Sequence, residues 1–521
     1  MRAPQRLAAA LALASLTTAA CGARLTPAQR TSALSQGGSG GAGSTGAAGT
    51  GSAGGTTGGS GTSGGSSGVG GPGVTTGSTG TTGSTGGPGS TGGSGTTGTT
   101  GGPAAGTSGA GSSTSGGGSD FTKAPAGGNG GATDIGVTAT SITVANASDV
   151  SGAVPGLFED ARFATQAYFK YFAARYGTLY GRKINVLALD TQLDSGANRS
   201  ASLQECTDAF AGVGSVSAFD QGGASAIQDC KLPDLRGLAT TDQMKAVPNV
   251  YPINAAGTGG TRSLAVFGWA ADRFPDAVKA AAYVYSDGDV TRQLEQQDVD
   301  GAQKALGYKF VDEIPIGTSE TNYAPAVSEL KSKGAKYVTF VGAYQQAANL
   351  AKEFARQNYK PTVYQPTVTA YTPNYVKQAG AASEGTYVAV SPSLLEEMNG
   401  NPELQLYAQW LQQVKPGAVP TAIGQFAWGA AALFVQEMIK VGPRPTRKAL
   451  LALIPTIRNY TGNGLFPGQD VGGRELGDCT SVVQVQQGKF VRIEPLGVRA
   501  LRCKDGVWNT KTQKRGPGFP R

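Results

Sequence analysis

The sequence predicts an α/β protein built from parallel, doubly wound sheets in two lobes, carried behind a long low-complexity tether. Three observations lead there. Strand and helix patterns alternate from about Ile135 onward. The patterned stretch runs to about Cys503, longer than one lobe needs. From Gly37 to Ser119 the chain is almost wholly Gly, Ser, Thr, Ala and Pro, with no charged or aromatic residue to build a core.

Taken in order, Ser141 to Ala147 reads as a strand and Leu157 to Tyr176 as an amphipathic helix. Lys183 to Leu189 is a second strand, Ala197 to Phe210 a helix, and Val216 to Phe219 a third strand. The alternation resumes with Ala280 to Tyr285 (strand), Ala324 to Lys333 (helix), Tyr337 to Val341 (strand) and Gln345 to Gln357 (helix). Pro402 to Gln413, Ala422 to Lys440 and Arg447 to Leu453 read as helices, and Val482 to Ile493 as a hairpin turning at Gln487-Gly488-Lys489.

The N-terminus predicts export. Arg2 and Arg6 precede an apolar run from Leu7 to Leu16, followed by small residues and Cys21, the pattern of a signal peptide over residues 1–20. Thr18-Ala19-Ala20-Cys21-Gly22 resembles a bacterial lipobox, which implies acylation of Cys21; Thr18 departs from the usual Leu. The tether would then hold a folded domain away from the membrane, with an end-to-end span of roughly 50 Å for a flexible coil. No later apolar run approaches the roughly 18 residues of a spanning helix.

Removing Cys21 leaves Cys206, Cys230, Cys479 and Cys503, two sequence-local couples in an exported chain, expected to pair in sequence order. Neither couple has the CxxC spacing of a zinc site. The chain has no histidine, which excludes Ser-His-Asp and Cys-His catalysis and His-ligated zinc. The net charge of +8 is spread thinly except after Gly497, where Arg499, Arg502, Lys504, Lys511, Lys514 and Arg521 face Asp505. That end reads as a solvated, disordered basic tail over 504–521, touching wall polyanions or lipid head groups rather than nucleic acid.

Short motifs add no chemistry. Ser328-Glu329-Leu330-Lys331 matches SxxK, but the partner motifs of serine acyltransferases are absent. Asp287-Gly288-Asp289 fails as a calcium loop, because Arg292 stands where Gly is needed and Asp298 where Glu is needed. No phosphate-cradling glycine motif follows a strand. What remains is small polar residues at strand ends, where open α/β sheets place ligands: Ser151 and Gly152, then Gly222-Gly223-Ala224-Ser225, then Ala239-Thr240-Thr241.

These residues resemble the type I periplasmic solute-binding proteins, in particular the branched-chain amino acid receptor group of ABC transporters. The likeness rests on Ile135-Gly136-Val137 with SITVANASDVSG, on QAYFKYFAARYG before GRKINVLALD, and on Leu232-Pro233 leading to ATTD and Val247-Pro248-Asn249-Val250-Tyr251. Tyr337 to Tyr344, EGTYVAVSP and GQFAWGAAALFVQEM add to it, and Cys206 and Cys230 fall where many members carry a disulfide.

The resemblance implies two Rossmann-like lobes joined by a three-crossover hinge that closes on a ligand. It divides the chain into a lipid-anchored tether over 21–131, lobe 1 over 132–258 and 389–475, and lobe 2 over 259–388 with a hairpin at 476–503. It implies no enzyme activity and no cofactor. It also implies a monomer on the extracellular face of the cell membrane that hands a small molecule to ABC permease subunits; a sensor with the same fold is the alternative. The ligand-binding positions it implies are Ala224, Ser225, Ala239, Thr240 and Thr241 in lobe 1, with Asp287 and Tyr344 in lobe 2, and strand-end position adds Ser151. Amino acid binders place a carboxylate against the ammonium group, but the corresponding segment Tyr364 to Tyr371 has none. Either Asp287 or Asp289 takes that role, or the ligand is an amide, an aromatic acid or another small organic compound.

Overall fold

A computed structural model describes residues 120–254, 257 and 259–520. The signal segment, Cys21 and the tether between Gly37 and Ser119 lie outside the described residues.

The first lobe starts with β1 (Ser141–Ser148), α1 (Glu159–Tyr176), β2 (Lys183–Asp190), α2 (Ser195–Asp208) and β3 (Ala211–Val213). It continues through α3 (Ala224–Asp229), β4 (Asp234–Leu235) and α4 (Asp242–Ala246). The strands lie parallel in the order β2-β1-β3-β4. The third strand differs from the sequence expectation, sitting at 211–213 instead of 216–219. Its ladder with β1 pairs Val144 with Ala211 and then Ser148 with Val216, one residue out of step. Gly214 absorbs the extra residue as a bulge at φ +70°, where an added Cβ would meet the Thr165 hydroxyl at 2.2 Å.

A first crossover carrying β5 (Thr261–Ser263) leads to the second lobe: α5 (Ala265–Arg273), β6 (Ala281–Ser286), α6 (Asp289–Leu306), β7 (Phe310–Ile316) and α7 (Ala324–Ser332). There follow β8 (Tyr337–Val341), α8 (Tyr344–Arg356), β9 (Val363–Pro366), α9 (Pro373–Ala379) and β10 (Tyr387–Val390). Its parallel sheet repeats the same topology, β7-β6-β8-β9. The chain then returns to lobe 1 with α10 (Pro402–Val414), α11 (Ala422–Val441) and α12 (Arg447–Leu453). Apolar positions of α11 pack on α1, where Trp428 sits edge-on to Tyr168 and stacks on Tyr171. A last crossing brings in the hairpin β11 (Ser481–Gln486) and β12 (Lys489–Glu494), whose first strand pairs antiparallel with β10. Among the described residues no helix is long and apolar enough to cross a membrane.

The disulfides are Cys206–Cys230 and Cys479–Cys503, the pairing expected from sequence. The chain after Cys503 is a correction: it is not a disordered tail. It forms β13 (Val507–Asn509) and β14 (Lys514–Gly516), and β13 pairs antiparallel with β5 of the first crossover. The buried Trp508 indole donates to Asp300 at 2.7 Å. Arg502 is buried among Asp505 (2.6 Å), Asp272 (2.8 Å) and Glu494 (2.9 Å). A local charge count missed this, because two of the three carboxylates lie outside the basic run and one is distant in sequence.

Candidate functional site

Both sheets reverse direction beside their first strand, and a ligand crevice is expected outside the carboxyl ends at such a switch point. Here the two switch points face one another. Residues after β1 (Val154, Phe158) and β3 (Ala218, Phe219) share a cavity of about 300 Å³ with residues at and after the end of β6 (Ser286, Asp287, Gly288 and Val290) and at the end of β8 (Val341 to Ala343). The lobe 1 floor is organised by the buried Asp149 carboxylate, which accepts from Thr191 Oγ1 (2.5 Å), Ala218 N (2.7 Å), Ser217 Oγ (3.1 Å) and Leu193 N (3.1 Å). Burial pushes the Asp149 carboxyl up, and these donors pull it partway back.

The central cavity is chiefly apolar, with Leu157, Phe158, Phe219 and Leu238 facing Val290 and Leu294. Three of its hydroxyls have spent their protons on backbone carbonyls. Thr240 donates to Ser217 O (2.7 Å), Thr369 to Gly342 O (2.6 Å), and Thr291 to Ser286 O. Each therefore faces a ligand as an acceptor.

Of the residues expected from sequence, Thr240 and Asp287 line this cavity. Tyr344 lines an adjoining cavity of about 340 Å³ with Glu159 and Asp160 across from it. Burial raises the Tyr344 hydroxyl, and the two carboxyls add to the shift. Burial also pushes Asp160 up to about 7.

The other lobe 1 residues are not brought together there. Ser151 and Ser225 are exposed, and the Ser151 amide donates to Asp190 at 3.2 Å. Ala224 and Ala239 are buried in a small cluster under α2 to α4, and Ala239 also borders a hinge-side cavity. Thr241 is a correction of role. Its hydroxyl donates to Asp220 (2.6 Å) and caps α4 by accepting from Met244 N (3.2 Å). The amides of Thr240 (2.8 Å) and Thr241 (3.0 Å) also go to Asp220, as does Arg236 (3.1 Å). The donors expected to hold a ligand carboxylate already hold the protein's own.

Asp287 pairs with Arg292 at 2.6 Å, and Asp289, largely exposed, pairs with the same guanidinium at 3.2 Å. Neither presents an unanswered charge to the cleft. Ser328 and Lys331 are exposed and both bond Gln357, at 3.0 Å each. Among the described residues no acidic or cysteine group is placed to hold a metal ion.

Sequence reasoning missed the hinge side of the cleft. A further cavity of about 270 Å³ adjoins the central one through Leu238, Thr240, Arg262, Leu294, Thr367 and Val368. Arg262, on β5, borders both. Its Nε donates to Asp298 at 2.6 Å, and the other Asp298 oxygen accepts from the buried Tyr283 hydroxyl at 2.7 Å. Its two terminal nitrogens have no protein hydrogen-bond partner among the described residues, and the side chain stays 25% exposed. Lys245, Thr261 and Thr480 line the same cavity, and the hydroxyls of both threonines are buried without a hydrogen-bond partner among the described residues. The one sequence signal for Arg262 was its place on the first lobe crossing.

Two facing doubly wound lobes around an apolar cleft define a solute-binding architecture. A family model described as "Periplasmic binding protein" matches residues 141–489, and the chain belongs to that family. No curated protein matches the chain in sequence. Several solved structures share the fold. A fatty acid ABC transporter substrate-binding protein from Thermomonospora curvata is 20% identical with a TM-score of 0.61, over 71% of this chain and 95% of that one. A solute-binding protein from R. palustris in complex with benzoate is 18% identical with a TM-score of 0.57, over 69% and 96%. The branched-chain amino acid transporter substrate-binding protein of Streptococcus pneumoniae, in complex with isoleucine, is 12% identical with a TM-score of 0.57, over 68% and 100%.

Proposed function

We propose that this chain is the extracellular, lipid-anchored solute-binding component of an ABC importer, closing its lobes on a small organic ligand. The observation that carries the reading is the single cavity walled by the switch points of both lobes, so that a ligand bound there gains contacts from each side. The neighbours named above bind or transport fatty acid, benzoate and isoleucine, which sets the size class. Lipid anchoring rests on the small residues before Cys21 and on the four remaining cysteines forming two disulfides. Lobe 1 is proposed as 132–258 with 389–475, and lobe 2 as 259–388 with 476–503.

A thermal-shift screen of amino acids, amides and carboxylic acids identifies a ligand, and small-angle scattering with and without it reads closure. A ligand that raises Tm and compacts the particle is the expected result. Stabilisation without compaction across every hit would contradict hinge closure.

A further inference from the structure

Resting on that reading, we infer that the cleft selects a monocarboxylate with an apolar body and no ammonium group, its head held by Arg262 where the central and hinge-side cavities meet.

The walls argue for the apolar body. The cavity surface is chiefly apolar, and the hydroxyls of Thr240, Thr291 and Thr369 are committed as donors to backbone carbonyls. A carboxylate placed against those three hydroxyls would meet acceptors. At the hinge side Arg262 keeps two N–H-bearing terminal nitrogens free of protein partners among the described residues, while Nε stays on Asp298. One guanidinium can serve two carboxylates in this chain, since Arg236 bonds Asp234 (2.6 and 2.9 Å) and Asp220 (3.1 Å) together. The planar fork suits a second, ligand carboxylate. Thr480, 3% exposed, lines the hinge-side cavity, and its buried hydroxyl has no hydrogen-bond partner among the described residues. Lys245 adds positive charge beside it, tempered by Asp242 at 3.6 Å.

The same inventory argues against an α-amino acid. The Asp287 charge is answered by Arg292. Glu159 and Asp160 line the outer cavity and not the central or hinge-side one. An ammonium on the carbon next to a carboxylate at Arg262 finds no counter-charge, and a buried unpaired cation is costly.

Calorimetry on the full chain with butanoate, hexanoate and octanoate tests this, alongside octanamide, octylamine and leucine. Affinity should rise about fourfold per added methylene until the cavity fills. Octanamide should bind about ten- to hundredfold more weakly than octanoate, the range for losing a charged hydrogen-bond partner, and leucine should not compete. Arg262→Gln should remove the octanoate-over-octanamide preference, and Thr480→Val should weaken octanoate several-fold. The wild-type comparison needs no variant, so misfolding of Arg262→Gln cannot mask the answer. Octanamide or leucine binding as tightly as octanoate, with the lobes closing, would overturn the head-group assignment and leave solute binding intact. No binding by any of the carboxylates overturns this inference, and no closure by any compound of the wider screen overturns the solute-binding reading beneath it.

Discussion

Asp220 is a buried carboxylate held by the Thr240 and Thr241 donors expected to bind a ligand, and removing it has a calculable cost. Asp220→Ala orphans the amides of Thr240 and Thr241 and the Thr241 hydroxyl, and takes one of two partners from the buried Arg236. Each unsatisfied buried donor costs about 1–3 kcal/mol, and stripping a buried ion pair of one member costs about 3–5 kcal/mol. Arg236 keeps Asp234 at 2.6 Å and water can enter the vacated space, so the total falls well short of that sum. We expect a loss of about 4 kcal/mol, toward the low end because such terms overlap. Urea unfolding followed by tryptophan fluorescence measures it, since Trp428 lies in the lobe 1 core. The variant should also become a carboxylate receptor: if acetate binds the hole with a Kd near ~10 mM, then ~100 mM acetate returns about 1.4 kcal/mol by mass action. Wild type should not respond. A loss below ~1 kcal/mol, or equal acetate stabilisation of both proteins, would refute the view that these donors are satisfied internally.

Asp160 carries a pH prediction. Its folded carboxyl is pushed from 3.8 up to about 7 by burial, so its contribution favours the folded state at low pH and is lost as pH rises between those values. Wild type should therefore lose stability relative to Asp160→Asn between pH 4 and 7, read by paired denaturation curves; parallel curves would contradict the assignment. Truncation after Cys503 removes β13, β14 and the Trp508–Asp300 bond, and should lower Tm measurably by differential scanning calorimetry, whereas a disordered tail would leave it unchanged. Tyr344→Ala should weaken binding of an identified ligand and leave the lobes more open by scattering, because Tyr344 faces lobe 1 groups across the outer cavity.

The periodic elements were legible because burial imposes their pattern. The runs at 141–148, 159–176 and 422–441 follow from apolar spacing, and both disulfides from the locality of their cysteines. The third strand was misplaced because a bulge at Gly214 leaves Val216 as an isolated bridge, which periodicity cannot see. The C-terminal strands hide in a basic run whose partners, Asp272 and Asp300, lie more than 200 residues away. At the site, strand-end position pointed to Thr240 and Asp287, but a sequence cannot show that a hydroxyl is already spent. Thr241 matches a ligand-binding pattern and instead serves Asp220, while Arg262 matches none and keeps two nitrogens without a partner among the described residues.

The central claim is that one ligand is gripped by both lobes at once. Hydrogen exchange measured by mass spectrometry on the full chain, with and without the best ligand of the screen, tests it most directly. The loops after β1 (149–158) and after β9 (367–371), and the turn from the end of β6 into α6 (286–291), should gain protection together, with residues flanking Arg262. Protection confined to one lobe, or falling outside these loops, would contradict it.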